Sequence, residues 1–193
     1  DYSPFELRHA SSGIQTTAPL VAMVNYYAQA FDFKLAQKRS IIDLLFEKNL
    51  TMQYRPEMEL ADMPRYVHIH IEEPELSLDP TSQIQLLNEL VRLAFYAKVD
   101  DRQIGLVLAT HSPYIANSLN LLMKAHDCGT SIQGAHVAYD DLSVYQIVNG
   151  RVHCLKVKNM HYVNTDRLSE DINFIYDKYQ ELKSLQNEKS FGE

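Results

Sequence analysis

An α/β fold with a mainly parallel sheet and flanking helices is what the sequence predicts, and three observations carry that expectation. Tyr66 to Ile71 alternate and are rich in β-branched and aromatic residues, the pattern of a strand. Ile104 to Ala109 form a continuous apolar run, the mark of a strand buried on both faces of a parallel sheet. Between them, Thr81 to Lys98 carry Ile84, Leu87, Leu90, Val91 and Ala94 as a helical apolar stripe. Strand, helix, strand in that order implies a right-handed crossover, so both strands deliver their carboxyl ends to one edge.

The chain has 193 residues, enough for one domain with a sizeable core. Hydrophobic residues make up 46% and charged residues 22%, a globular balance rather than that of a disordered chain. A net charge of −7 excludes a global basic field for nucleic acid. No apolar run approaches the length of a membrane span, so no membrane partner is expected. Cys128 and Cys154 have neither metal-ligand spacing nor a disulfide framework; they read as small buried hydrophobes in a reducing, cytoplasmic compartment. The first residue is Asp1 and a motif follows almost at once, which is expected of a piece of a longer protein.

From the amino terminus, Ser11, Ser12, Gly13, Ile14 and Gln15 form a small-residue loop before a helix with Leu20, Val21, Val24, Tyr27, Ala28 and Phe31 at helical spacing. Thr16 or Thr17 suits its cap and Pro19 its first turn. A glycine-containing loop feeding a helix start offers N–H groups and the positive end of the dipole to a phosphate. Residues 33–64 read as a polar and apolar mixture, with a short helix at Ser40 to Lys48 and irregular sequence around Tyr54, Arg55 and Pro56 and from Ala61 to Pro64. Tyr54, Arg55 and Arg65 read as solvated surface.

The first strand ends at Glu72 and Glu73, and Pro74 stops the ladder because it has no N–H. Ligands collect outside the carboxyl ends of strands in open α/β sheets. Of two carboxylates there, one can hold a divalent cation and the other can orient or deprotonate a water. Asp100, Asp101 and Arg102 break the crossover helix. After the second strand, Ser112 is a natural cap and Pro113 a natural first helical residue, so His111 occupies a tight loop at the same edge. A helix from Pro113 to about Lys124 follows, with Ile115, Leu119, Leu122 and Met123 for packing.

Edge strands are then expected at Ala135 to Tyr139, Ser143 to Val148 and Arg151 to Val157, the last two joined by the Asn149-Gly150 hairpin turn. A terminal amphipathic helix from Asp166 to about Lys183 presents Leu168, Ile172, Ile175, Tyr176 and Tyr179, and packing on the sheet is its expected use. By region, the division is 8–32, about 33–64, a core at 65–124, and edge strands with the terminal helix at 134–187.

Three motifs together carry a resemblance. The run from Ile71 to Pro80, Ile-Glu-Glu-Pro-Glu-Leu-Ser-Leu-Asp-Pro, resembles the Walker B motif and D-loop of ATP-binding-cassette (ABC) ATPases. It is most similar to heads of the SMC, RecF and overcoming-lysogenization-defect type, within the wider P-loop (AAA) group. Ser12, Gly13 and Gln15 match the ABC signature, whereas Ser11 and Ile14 depart from it. Ala109-Thr110-His111-Ser112-Pro113 resembles the switch loop. The resemblance implies the cofactors ATP and Mg²⁺, with Glu72 on the metal side, in place of the usual Asp, and Glu73 polarising the attacking water. It further implies His111 as γ-phosphate sensor, Asp79 as the D-loop acid, and Ser12, Gly13 and Gln15 capping ATP held by a second copy. A dimer through signature and D-loop follows, with work on DNA or an effector protein in nucleic-acid maintenance or phage defence.

The resemblance covers about residues 8 to 118, implies that about 33–64 is an insertion relative to transport-type cassettes, and lacks one part. No Gly-x4-Gly-Lys-Ser/Thr is present to cradle the phosphates. Gly129 to Gly134 has the glycine spacing but is followed by Ala135 and His136. In this family the Walker A element precedes the signature, so it is expected upstream of Asp1, and the chain alone is expected not to hydrolyse ATP. Two rival readings stand beside this one. His68, His70 and Glu72 share one face of the first strand as a candidate metal-dependent hydrolase set. Glu at the usual Asp position and the degenerate signature suit an inactive nucleotide-binding or protein-interaction module.

Overall fold

The computed structural model describes residues 6–50, 65–99, 101–157, 160–168 and 170–190. The chain is α/β: among these residues it has five α-helices, one parallel strand pair and two antiparallel pairs. It divides into two compact units, the first running to Thr110 and including Gln133–Ala135, the second formed by the rest.

In the first unit, α1 (Ser12–Gln29) starts earlier than its threonines suggest, because Ser11 is the cap and its Oγ accepts from Ile14 N. Thr16 and Thr17 instead lie inside the helix, where their hydroxyls donate back to the carbonyls of Ser12 and Gly13 at 2.9 Å each. Pro19 is likewise internal, taking one N–H out of the ladder. The next helix, α2 (Phe33–Glu47), begins seven residues before the expected Ser40, because Asp32 accepts from Leu35 N at 2.9 Å and so caps it there. Tyr54, Arg55 and the rest of 51–64 lie outside the described residues. Arg65 is not a free surface cation but pairs with Asp101 at 2.8 Å.

Strand β1 (Tyr66–Glu72) pairs in parallel with β2 (Gln103–Ala109), with Tyr66 opposite Gln103 and Glu72 opposite Ala109. Ile69 and Ile71 point into a core with Val24 and Ala28 of α1 and Ile104 of β2. Leu86 and Leu90 of α3 (Pro80–Val91) and Leu93 and Ala94 of the π-helical segment Arg92–Tyr96 complete that core. The expected crossover helix is thus present, with its last turn widened. Arg102, in the sequence that follows it, is buried: its guanidinium donates to Tyr27 O at 2.9 Å and lies over the Phe33 ring.

Two expectations for the sheet need correction. A mainly parallel sheet is not seen among the described residues, where the parallel part is this single pair. Nor is β2 buried on both faces, since Val107 is 46% exposed. An apolar run reports a strand but does not say how much of it a neighbour covers.

The second unit opens with α4 (Pro113–Asp127), capped by Ser112, whose Oγ accepts from Tyr114 N and Ile115 N as expected. The hairpin of β3 (Tyr145–Val148) and β4 (Arg151–Cys154) closes through Asn149 and Gly150 at φ 50° and 74°. The expected returning strand to Val157 is split at Leu155, whose N–H goes to Val144 O and whose carbonyl accepts from Asn164 N. Beyond that point β5 (Lys156–Val157) pairs with β6 (Tyr162–Val163), a two-residue strand too short to read from pattern. Asn120 clasps it to α4 with bonds to both the N–H and the carbonyl of Val163.

The expected strand at Ala135 to Tyr139 is absent. Val137 N donates to Leu122 O of α4 instead of to a strand, and Tyr139–Asp141 form a 3₁₀ turn. Both cysteines are exposed rather than buried. The terminal helix α5 (Glu170–Ser190) starts after a separate 3₁₀ turn at Asp166–Leu168. Of the stripe expected to pack, Ile175, Tyr176 and Tyr179 are instead 61% to 68% exposed. Among the described residues, no helix is long and apolar enough to cross a membrane.

Candidate functional site

The acidic pair stands where β1 ends. Had the strand continued, alternation would have put Glu73 on the buried face of Ile69 and Ile71. Instead Glu73 takes a left-handed backbone, φ 47°, and both Glu72 and Glu73 are exposed. Glu73 N still donates to Ala109 O at 2.8 Å, so the turn begins on the last rung of the pair. Leu76 N closes onto Glu73 O and Leu78 N onto Glu75 O, both at 3.0 Å, with Ser77 a second left-handed residue at φ 62°. Pro74 is fully buried beneath this turn. Backbone strain at a carboxylate on a sheet edge is a cost of order 1 kcal/mol that the surrounding bonds must hold in place.

The parallel register brings the carboxyl ends of both strands to one edge, with Glu72 opposite Ala109. His111 follows Ala109 by two residues in the chain and is exposed. Thr110, between them, donates from Oγ1 to Glu75 Oε2 at 2.8 Å. Neither Glu75 nor Thr110 was among the expected site residues. The second acid of Glu-Pro-Glu was the available signal, but its partner is distant in sequence.

The structure also brings the start of α1 against the turn after Pro74. A Cβ added at Gly13 would stand 2.9 Å from Ser77 O and 3.0 Å from Leu78 Cδ2, so only glycine fits at that approach. Ser11, Gly13, Thr17, Ser77, Asp79 and Ser82 line part of an open groove of about 420 Å³. Ser12 is exposed beside it, in the first turn of α1, where backbone N–H groups lack intrahelical acceptors. Gln15 is turned away from that role: its amide donates to Arg8 O at 3.2 Å and Ala10 O at 2.8 Å, pinning the chain that enters the helix. Glu89, which also lines the groove, is held below the usual carboxylate range by its two bonds to the Arg92 guanidinium.

Asp79 caps α3, accepting from Thr81 N at 2.9 Å, Ser82 N at 3.2 Å and the Ser82 hydroxyl. The Ser82 hydroxyl first, and then the Ser82 N–H, hold its carboxyl below the ordinary aspartate range. A lowered value in the folded chain stabilises it above the unfolded value, and that contribution is lost as the pH falls through the folded one. Asp79→Ala is therefore expected to lower the melting midpoint at neutral pH. Its deficit against the wild type should shrink as the pH falls below the ordinary aspartate range, which parallel thermal melts from neutral to acid pH would measure. A deficit that does not change with pH would contradict the cap.

His68 and His70 share the exposed face of β1 with Glu72. The His68 ring meets the Tyr66 ring edge-on at 4.3 Å, and its Nδ1 is 3.5 Å from the Tyr66 hydroxyl. Gly105 on β2 leaves room for both, since a Cβ there would lie 2.9 Å from His68 Nδ1. Among the described residues, no group of three or more His, Cys, Asp or Glu is arranged to hold a metal ion.

The glycines at 129 and 134 are not a phosphate loop. Gly129, at φ 64°, follows the end of α4, with Gly129 N bonded to His126 O and Thr130 N to Ala125 O, a helix terminus rather than a strand-to-helix loop. Gly134, at φ 81°, lies against the stem of Arg92 in the first unit. No protein-family model, curated protein or solved structure matches the chain.

Proposed function

We propose that this chain is the C-terminal part of an ABC-type ATPase head that dimerises around ATP. The observation that carries the reading is the approach of Gly13 to the carbonyl of Ser77. It brings the signature-like helix start and the D-loop-like turn together, although the sequence separates them widely. The left-handed backbone that exposes Glu72 and Glu73 together at the end of a parallel strand supports it further.

In this reading, Glu73 accepts a proton from, or orients, the water that attacks the γ-phosphate. Glu72, an open carboxylate beside it, is the oxygen donor that suits Mg²⁺. When bound, Mg²⁺ would neutralise charge on the phosphates. His111 donates to a γ-phosphate oxygen. Ser12 and the first N–H groups of α1 cap the nucleotide of a second copy, as the positive end of a helix favours an anion. Asp79 serves by holding the start of α3 against the groove rather than by touching ATP itself.

The residues described fit only part of a nucleotide site. No Gly-x4-Gly-Lys-Ser/Thr stands in this sequence, so the β-phosphate cradle must be supplied by a segment outside it. Action on DNA or on an effector protein belongs to the same proposal. ATP turnover by the protein carrying that segment, abolished by Glu73→Gln, tests the reading; absence of turnover in the wild type would overturn it.

A further inference from the structure

We propose that Glu75 is a positioning residue: through Thr110 it fixes the stem of the His111 loop to the turn that carries Glu73. The inference rests on the ATPase reading above and adds to it a residue that touches neither nucleotide nor metal. Bonds join the turn to consecutive residues at the end of β2. Glu73 N donates to Ala109 O at 2.8 Å through the backbone, and Thr110 Oγ1 donates to Glu75 Oε2 at 2.8 Å through side chains.

The turn itself has little freedom. Left-handed residues bracket it at Glu73 and Ser77, the bonds Leu76 N to Glu73 O and Leu78 N to Glu75 O close it, and buried Pro74 anchors it. A carboxylate accepting from a hydroxyl makes a short, charge-assisted bond, stronger than a neutral one. Thr110 is the first residue past β2 and the last before His111, so its side-chain bond sets where that loop departs. Small displacements of a group that acts on a transferring phosphate are costly in rate. Hence the glutamate after Pro74 tunes catalysis without touching the reacting groups.

The test is steady-state ATP hydrolysis by the complete protein bearing single and paired changes. Glu75→Ala and Thr110→Val are each expected to lower kcat by about tenfold with KM nearly unchanged. The double variant should be slowed by less than the product of the two single losses, because the two changes share one bond. Thr110→Ser, which keeps the hydroxyl, should retain wild-type kcat, a rescue that a merely structural loss would not give. An unchanged kcat in Thr110→Val, or a Thr110→Ser variant as slow as Thr110→Val, overturns the proposal. Glu73→Gln in the same assay separates the two claims. If it abolishes turnover while the Glu75 and Thr110 variants match the wild type, the ATPase reading stands and this inference falls; a wild type without turnover removes both.

Discussion

Glu73→Gln is expected to lower ATP hydrolysis by about 10²–10⁴-fold while leaving ATP bound, because the amide keeps the shape of the side chain but cannot take a proton. The backbone makes a second substitution informative. Glu73 lies at φ 47°, which costs an L-residue about 1–2 kcal/mol that glycine does not pay. Glycine also loses about 0.5–1 kcal/mol through the greater freedom of the unfolded chain. These two effects nearly cancel, so Glu73→Gly should keep its unfolding free energy within about 1 kcal/mol of the wild type. Its hydrolysis should nevertheless be as low as that of Glu73→Gln. Radiolabelled ATP retention, product release and a urea melt distinguish the cases. A Glu73→Gly variant with wild-type turnover would show that the strained carboxylate is not the base.

Gly13→Ala carries the largest expected effect on stability. The added Cβ would stand 2.9 Å from a backbone carbonyl, Ser77 O, which cannot swing aside as the end of a long side chain could. Overpacking of this kind costs about 1–3 kcal/mol. The opposing gain from replacing glycine by alanine in a helix interior is at most about 1 kcal/mol, and Gly13 is only in the first turn of α1. Packing should therefore win, and the urea midpoint should fall with an unchanged slope. A midpoint equal to or above that of the wild type would mean that the helix start and the turn are not pressed together. The contact that supports the functional reading would then be lost with it.

What could be read from the sequence was local. The alternation of Tyr66 to Ile71, the Ser112-Pro113 helix start and the Asn149-Gly150 turn each depend on a few neighbouring residues, and each is found where expected. The exposed acids after β1 were equally legible, since Pro74 marks where the ladder must stop. Even so, the left-handed backbone that exposes Glu73 has no sequence signature, because it is imposed by bonds to Ala109 and Leu76.

Choices between neighbouring candidates were harder. Ser11, Thr16 and Thr17 are all chemically able to cap α1, and the capping geometry chose Ser11 while the threonines bonded backwards. Long-range pairings were not legible at all. Gly13 meets Ser77, and Glu75 meets Thr110, only after β1 and β2 have paired. Ile175, Tyr176 and Tyr179 do lie on a helix, α5, while Leu168 falls in the 3₁₀ turn before it, and periodicity says which residues share a face and not whether anything covers it.

Mixing two inactive variants tests the central claim most directly. Ser12→Arg should block the cap that one copy offers its neighbour, and Glu73→Gln should disable the base of the copy that carries it. If the turn serves the partner's nucleotide, a mixed pair regains one intact site, built from Glu73 of the Ser12→Arg copy and Ser12 of the Glu73→Gln copy. The mixture is therefore expected to hydrolyse ATP when neither variant does so alone. Activity no greater than the sum of the two separate variants would contradict a site shared between copies.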